Sequence, residues 1–170
     1  MSVIEVQKLL QEISPKAPSG ENLEYDRDFV EMVRLAQGKP EQQIGGAVVP
    51  AEEPNWREVK NKALQLLARS KDLRLGVYLT RALLRTDGFG GLEDGLALLR
   101  GLLEKHWESV HPQLDPEDHN DPTMRVNTLV ALCHPETMLR SIRESPLVAS
   151  KAHGRISLRD FYARRVRRLL

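Results

Sequence analysis

Apolar residues recur at helical spacing along nearly the whole chain, and where that rhythm breaks, proline, glycine or short polar residues take over. Residues 2–13 place Ile4, Leu9, Leu10 and Ile13 roughly on one side behind Ser2, a residue type suited to an N-cap, which predicts a short amphipathic helix. The stretch Ser14-Pro-Lys-Ala-Pro-Ser-Gly20 denies the backbone donors and dihedrals a helix requires and predicts an extended connection. A second helix is expected from Asp26 to Gln37 through Phe29, Val30 and Val33, with Gly38 as its stop and Pro40 just beyond. Residues 39–54 hold Gly45-Gly46 and the apolar bit Ala47-Val48-Val49 bounded by Pro50 and Pro54. They are too interrupted for a central strand and predict a long ordered loop, with one short extended piece at most.

Three stronger helices follow. Asn55 suits the cap of a helix with Val59, Ala63, Leu64, Leu66 and Leu67 inward, ending at Ser70. Asp72 suits the cap of a helix over about 73–86 that is apolar on nearly every side, the signature of a central element. Thr86-Asp-Gly-Phe-Gly-Gly91 predicts a turn, after which Leu92, Leu96, Leu99 and Leu103 recur at steps of four, three and four, with Leu102 and Trp107 widening the stripe into the core. Asp121-Pro122 reads as a cap and first-turn proline for a helix burying Val126, Leu129, Val130 and Cys133. Another helix is expected from Pro135 to about Arg143, closed by Pro146. Ser157-Leu-Arg-Asp160 resembles a capping box that opens a last helix with Leu158, Phe161, Tyr162, Val166, Leu169 and Leu170 on one side. The fold class expected is all-α: an antiparallel bundle of about seven to nine helices with long ordered loops. That last helix meets no stop signal before Leu170, so a longer protein continuing past it is expected.

Composition narrows the function classes. At 170 residues one domain is expected, no apolar run approaches the roughly 18 residues that cross a bilayer, and no secretory leader pattern opens the chain. A single Cys133 makes no internal disulfide and fits a reduced, cytoplasmic setting. Charge is uneven: residues 1–150 hold 18 basic and 23 acidic residues, while 151–170 hold seven basic and one acidic. Arg155, Arg159, Arg164, Arg165, Arg167 and Arg168 therefore make an alternative reading, a module binding nucleic acid or an anionic surface.

Candidate chemistry is sparse. Gly88-Phe-Gly-Gly91 lacks the lysine ending of a phosphate loop, and Cys133 and His134 are adjacent, hence about 100° apart on a helix. His106 and His111 are poorly spaced for a metal pair, and Asp115, Asp118 and Asn120 lack the calcium-loop order. A hydrolase using Asp118 and His119 is the weakest reading, so no enzyme, cofactor or metal is expected.

Three blocks carry a resemblance: Ile13-Ser-Pro-Lys-Ala-Pro-Ser-Gly-Glu-Asn-Leu-Glu-Tyr-Asp26; Gly38-Lys-Pro-Glu-Gln-Gln with Val49-Pro-Ala-Glu-Glu-Pro-Asn-Trp-Arg-Glu58; and Trp107-Glu-Ser-Val-His-Pro-Gln-Leu-Asp-Pro-Glu-Asp-His-Asn-Asp-Pro-Thr-Met-Arg-Val-Asn127. In this order, over about 13–145, they resemble the N-terminal ImpA-type domain of TssA proteins from bacterial type VI secretion systems. The resemblance implies a cytoplasmic, non-enzymatic assembly component that contacts baseplate, sheath or tube proteins and self-associates through a C-terminal region. It implies a domain over 1–145, with 146–170 a basic amphipathic helix that completes it or leads onward. Small-molecule substrates, nucleic acid and membrane are then not expected as partners. The residues expected to meet a partner are Trp56, by its aromatic anchor character, and Glu117, Asp118, His119 and Asn120 of the acidic loop.

Overall fold

The computed structural model describes residues 2–39, 42–44, 47–150 and 154–167. Pro40, Gly45, Gly46, His153, Arg168, Leu169 and Leu170 lie outside the described residues. The helices are α1 (Val6–Leu9), α2 (Arg27–Gln37), α3 (Trp56–Leu67), α4 (Leu73–Lys105), α5 (Thr123–Val130), α6 (Arg140–Glu144) and α7 (Leu158–Arg167). Two antiparallel hairpins accompany them, β1 (Gln42–Ile44) with β2 (Ala47–Val49), and β3 (Pro146–Ser150) with β4 (Gly154–Ser157). The fold is thus mostly helical, which corrects the all-α expectation. Apart from the single turn α1, the described residues hold six α-helices and not seven to nine. The count fell because residues 2–13 form one turn only, and because the two helices expected on either side of Gly88 run as the single span α4; the 39–54 and 146–157 segments instead pair with themselves as hairpins. Each hairpin satisfies its own backbone groups across two strands, which an unpaired loop would leave to water.

The core forms where α2, α3 and α4 stack. Phe29, Met32 and Ala36 of α2 follow the three-and-four step and meet Val59, Ala63, Leu66 and Leu67 of α3. Leu73, Leu75, Leu79 and Leu83 close the layer from α4. Each large side chain fully buried here contributes on the order of 1.5–3 kcal/mol before ordering entropy is subtracted. The expected caps are present, Asn55 accepting from Glu58 N and Asp72 from Arg74 N, and Asp26, where the second helix was expected to begin, caps α2 by accepting from Asp28 N. The capping box also forms, Ser157 N donating to Asp160 Oδ2 while Asp160 N donates to Ser157 Oγ.

The span α4 is a folded-back pair. Gly88 interrupts it at φ 69° and ψ −146°, a backbone region nearly closed to residues with a Cβ, and the predicted turn therefore sits where expected. The two arms approach closely: a Cβ on Gly76 would lie 2.6 Å from Leu99, and one on Gly95 would lie 2.7 Å from Thr80 Oγ1. Those pairs straddle Gly88 almost symmetrically. The small residues that allow this contact also set which way the second arm faces. It buries Gly91, Asp94, Gly95, Leu98, Leu99 and Leu102, while Leu96 and Trp107, expected inside, are 46% and 39% exposed.

Asp94 faces inward because the chain's start folds over it. Its carboxylate accepts from Val3 N, from Ile4 N at 3.1 Å and from the Ser2 hydroxyl, so Ser2 helps to anchor the N-terminal segment and caps no helix. Burial alone would raise the Asp94 carboxyl, but the Val3 and Ile4 amides and the Ser2 hydroxyl outweigh it and hold it below the ordinary value of 3.8. A depressed folded value means stability that is present above 3.8 and lost as pH falls through the folded value. Acidification from neutral to below the folded value is expected to lower the protection factors of the Val3 and Ile4 amides, taken relative to intrinsic exchange at each pH, ahead of those of the core. Asp94→Asn should show low protection factors at both pH values; a wild-type segment that keeps its protection factors in acid would refute the clamp.

Candidate interaction surface

The segment after α4 turns back on itself and is pinned from inside by one side chain. Arg125, on the first turns of α5, is 1% exposed. Its Nε donates to Pro112 O at 2.8 Å, its Nη1 to Trp107 O at 2.6 Å and its Nη2 to Val110 O at 2.8 Å. The guanidinium also lies 4.7 Å from the centre of the Trp107 ring, in cation–π range. Five donors in a fixed planar fork suit three carbonyls arranged around a bend, which a lysine could not reach together. Burial pushes the Arg125 guanidinium down, with nearby Glu108 acting the other way.

A second set of bonds ties this bend to the N-terminal extended segment. Leu73 N donates to His111 O and His111 N to Lys71 O, both at 2.9 Å, while Lys71 N donates to Ser19 O at 2.7 Å. Buried His111 places Nε2 3.2 Å from Gly20 O, and buried His106 places Nε2 2.9 Å from Leu10 O. A carbonyl only accepts, so both rings carry their proton at Nε2. The two histidines are interior cross-links to different segments, which accounts for their spacing. Lys71 is buried as well, its Nζ donating to Leu67 O at 3.1 Å, and desolvation pushes its ammonium down.

On this base stands the acidic loop. Asp115 accepts from Glu117 N and starts a 3₁₀ turn over Pro116–Asp118, after which His119 and Asn120 take positive φ values of 54° and 56°. Asn120 N returns to Asp115 O at 2.9 Å. Asp121 then accepts from Thr123 N and Oγ1, and these bonds hold its carboxyl below the usual range. These bonds fix the turn into α5, but the helix begins at Thr123 with Pro122 at its N-cap position, one residue later than the expected cap at Asp121 and first-turn Pro122. Glu117, Asp118, His119 and Asn120 all point to solvent. Trp56 stands apart from them, half-buried at the mouth of a cleft between α3, α4 and α6. The surface is therefore two regions.

Several expected positions changed. Arg125 occupies the buried face of α5, so Val126 and Val130 are 51% and 56% exposed and Cys133 is exposed, while Leu129 packs partly on the core. Phe161 and Tyr162 of α7 contact each other edge to face yet remain largely exposed. Arg155, Arg159 and Arg165 are exposed, with Glu144 and Asp160 lying among the first two. Sequence reasoning missed Arg125 and Arg81. For Arg125 the available signal was an arginine set on an otherwise apolar helical face.

A family model described as ImpA, N-terminal, type VI secretion system matches residues 10–134. The chain is similar to the type VI secretion system component TssA1 of Pseudomonas aeruginosa, 46% identical over 157 residues that make up 92% of this chain and 45% of that protein. Among solved structures it is similar to the N-terminal domain, including the conserved ImpA_N region, of the TssA component of the type VI secretion system from Burkholderia cenocepacia. There the TM-score is 0.72 and the identity 30%, over 99% of this chain and 63% of that one. The chain thus spans less than half of its curated relative. No helix among the described residues is long and apolar enough to cross a membrane.

Proposed function

The chain belongs to the ImpA N-terminal family of the type VI secretion system, and on that premise we propose that it is a non-enzymatic, cytoplasmic adaptor domain docking baseplate, sheath or tube components. Residues 1–145 form the docking domain in this reading, and 146–170 complete it or lead toward a C-terminal region through which the protein self-associates. The observation that carries the proposal is the division of labour within residues 107–125. Arg125 and His111 hold the base with bonds to buried carbonyls, while Glu117, Asp118, His119 and Asn120 are presented outward on a turn that is bonded only to itself. A fixed loop loses little entropy on binding, and polar residues with open donors and acceptors suit recognition better than packing.

The test is retention of baseplate, sheath and tube proteins by the tagged chain. Replacing Glu117, Asp118, His119 and Asn120 together with glycine and serine is expected to abolish retention of at least one component. Because these side chains are exposed and have no tertiary partner among the described residues, stability should move by less than about 1 kcal/mol. Equal retention by the folded variant would refute the loop's role.

A further inference from the structure

The cleft beside Trp56 contains a cation with nothing to hold. Arg81 projects from the most buried helical arm, its guanidinium 5.2 Å from the Trp56 ring centre and 5.8 Å from that of Tyr78. That guanidinium makes no hydrogen bond or ion pair among the described residues, although the one of Arg74, about two turns earlier on α4, pairs with both Asp72 and Glu24. The donors of Arg81 line an open cleft of about 450 Å³ whose walls also include Pro54 and Met138. The remaining charges there are largely settled: Arg85 pairs with Glu53 at 3.5 Å and Arg140 with Glu144 at 2.9 Å, leaving Glu136 opposite.

We propose that this cleft binds an extended segment of a partner protein through one carboxylate, held by Arg81 between Trp56 and Tyr78, with an apolar side chain beside it. A guanidinium within cation–π range of two aromatic rings is restrained before binding, and the guanidinium fork matches a carboxylate with two parallel bonds. The apolar walls accept the neighbouring side chain, and the Glu136 carboxylate is available to accept a backbone N–H. Nucleic acid fits poorly, because a run of phosphates would meet Glu53, Glu136 and Glu144 along with the arginine. A single carboxylate does not.

The inference rests on the adaptor reading only in taking the occupant to be protein. The probe is an N-acetylated, C-amidated hexapeptide of alternating leucine and glutamate, titrated into the chain and followed by the two tryptophan indole N–H resonances, assigned with Trp56→Phe. A saturable shift of Trp56, with Trp107 unmoved, is expected; lysine in place of glutamate should abolish it. Arg81→Gln should weaken binding about tenfold, the loss of a charge-assisted pair. Arg81→Lys, which keeps the charge without the plane, should weaken it severalfold and decides the matter if the glutamine variant does not fold. No saturable shift, unchanged affinity in the folded variants, or tighter binding of a six-nucleotide thymidine oligomer would overturn the proposal. The titration uses no secretion component. A chain that retains its partners yet ignores the peptide refutes the cleft alone, and the converse refutes only the adaptor reading.

Discussion

Replacing Arg125 with methionine is expected to destabilise the chain by about 3–5 kcal/mol, because three carbonyls, two of them buried, lose charged donors at once and each bond of that kind is worth roughly 1.5–3 kcal/mol. Methionine keeps only the unbranched apolar stem of arginine, so the loss reports the fork together with the space its guanidinium fills. Pro112, Trp107 and Val110 would be left with unmet oxygens around an interior bend. Water entering the bend would recover part of this, which sets the lower end of the range. Arg125→Lys should fall almost as far, since one ammonium cannot serve three carbonyls arranged around a plane. Urea unfolding measures the change, and amide exchange should rise first across 107–125. A shift below about 1 kcal/mol for both variants would mean the loop holds itself without Arg125.

Gly20→Ala is expected to cost about 3 kcal/mol, through two causes that act together. The residue sits at φ +71°, and a Cβ there would lie 2.1 Å from the Arg69 carbonyl oxygen, a backbone atom that cannot swing aside. The disturbance would also reach the loop base, because Gly20 O accepts the His111 ring and Gly20 bridges Ser70. Gly88→Ala provides the comparison. Its φ is +69° with nothing within 4 Å of the new Cβ, so only the backbone penalty of about 1–3 kcal/mol applies. Equal unfolding midpoints for wild type and Gly20→Ala would show that the contact relaxes freely.

These two positions also show why the resemblance falls in separated blocks. The blocks at 13–26 and 107–127 meet in space: Ser19 Oγ lies 2.8 Å from Ser109 Oγ, and Lys71 joins both segments through its backbone. The block at 38–58 belongs to the other region, carrying the hairpin and Trp56. Much of the candidate surface was legible as loops. Glu117, Asp118, His119 and Asn120 are exposed as a polar turn should be, and Trp56 is accessible at a cleft. Arg81 was not legible, because nothing local distinguishes an arginine that will find a carboxylate, like Arg74, from one that will not.

What the sequence determined by itself was local. Caps at Asn55 and Asp72, the turn at Gly88 and the Ser157–Asp160 box depend on residues within two or three positions of each other, and they form wherever the chain folds. The inward faces of α3 and the first arm of α4 were equally legible, since their apolar residues outnumber any competing demand; in α2, Phe29 is buried as expected but Val30 is 56% exposed, and Met32 and Ala36 take the inner face. The tertiary structure decided the rest. Leu96, Trp107, Val126, Val130 and Cys133 obeyed helical periodicity and still faced outward. In the second arm of α4, glycines at 91 and 95 and the Asp94 clamp set the rotation; in α5, three carbonyls drew Arg125 inside. Periodicity states that a helix has an apolar side, but a buried polar group without its partner costs more than an exposed valine, so the polar demand sets the helix's rotation. Those partners lie 13 to 92 residues away in the chain.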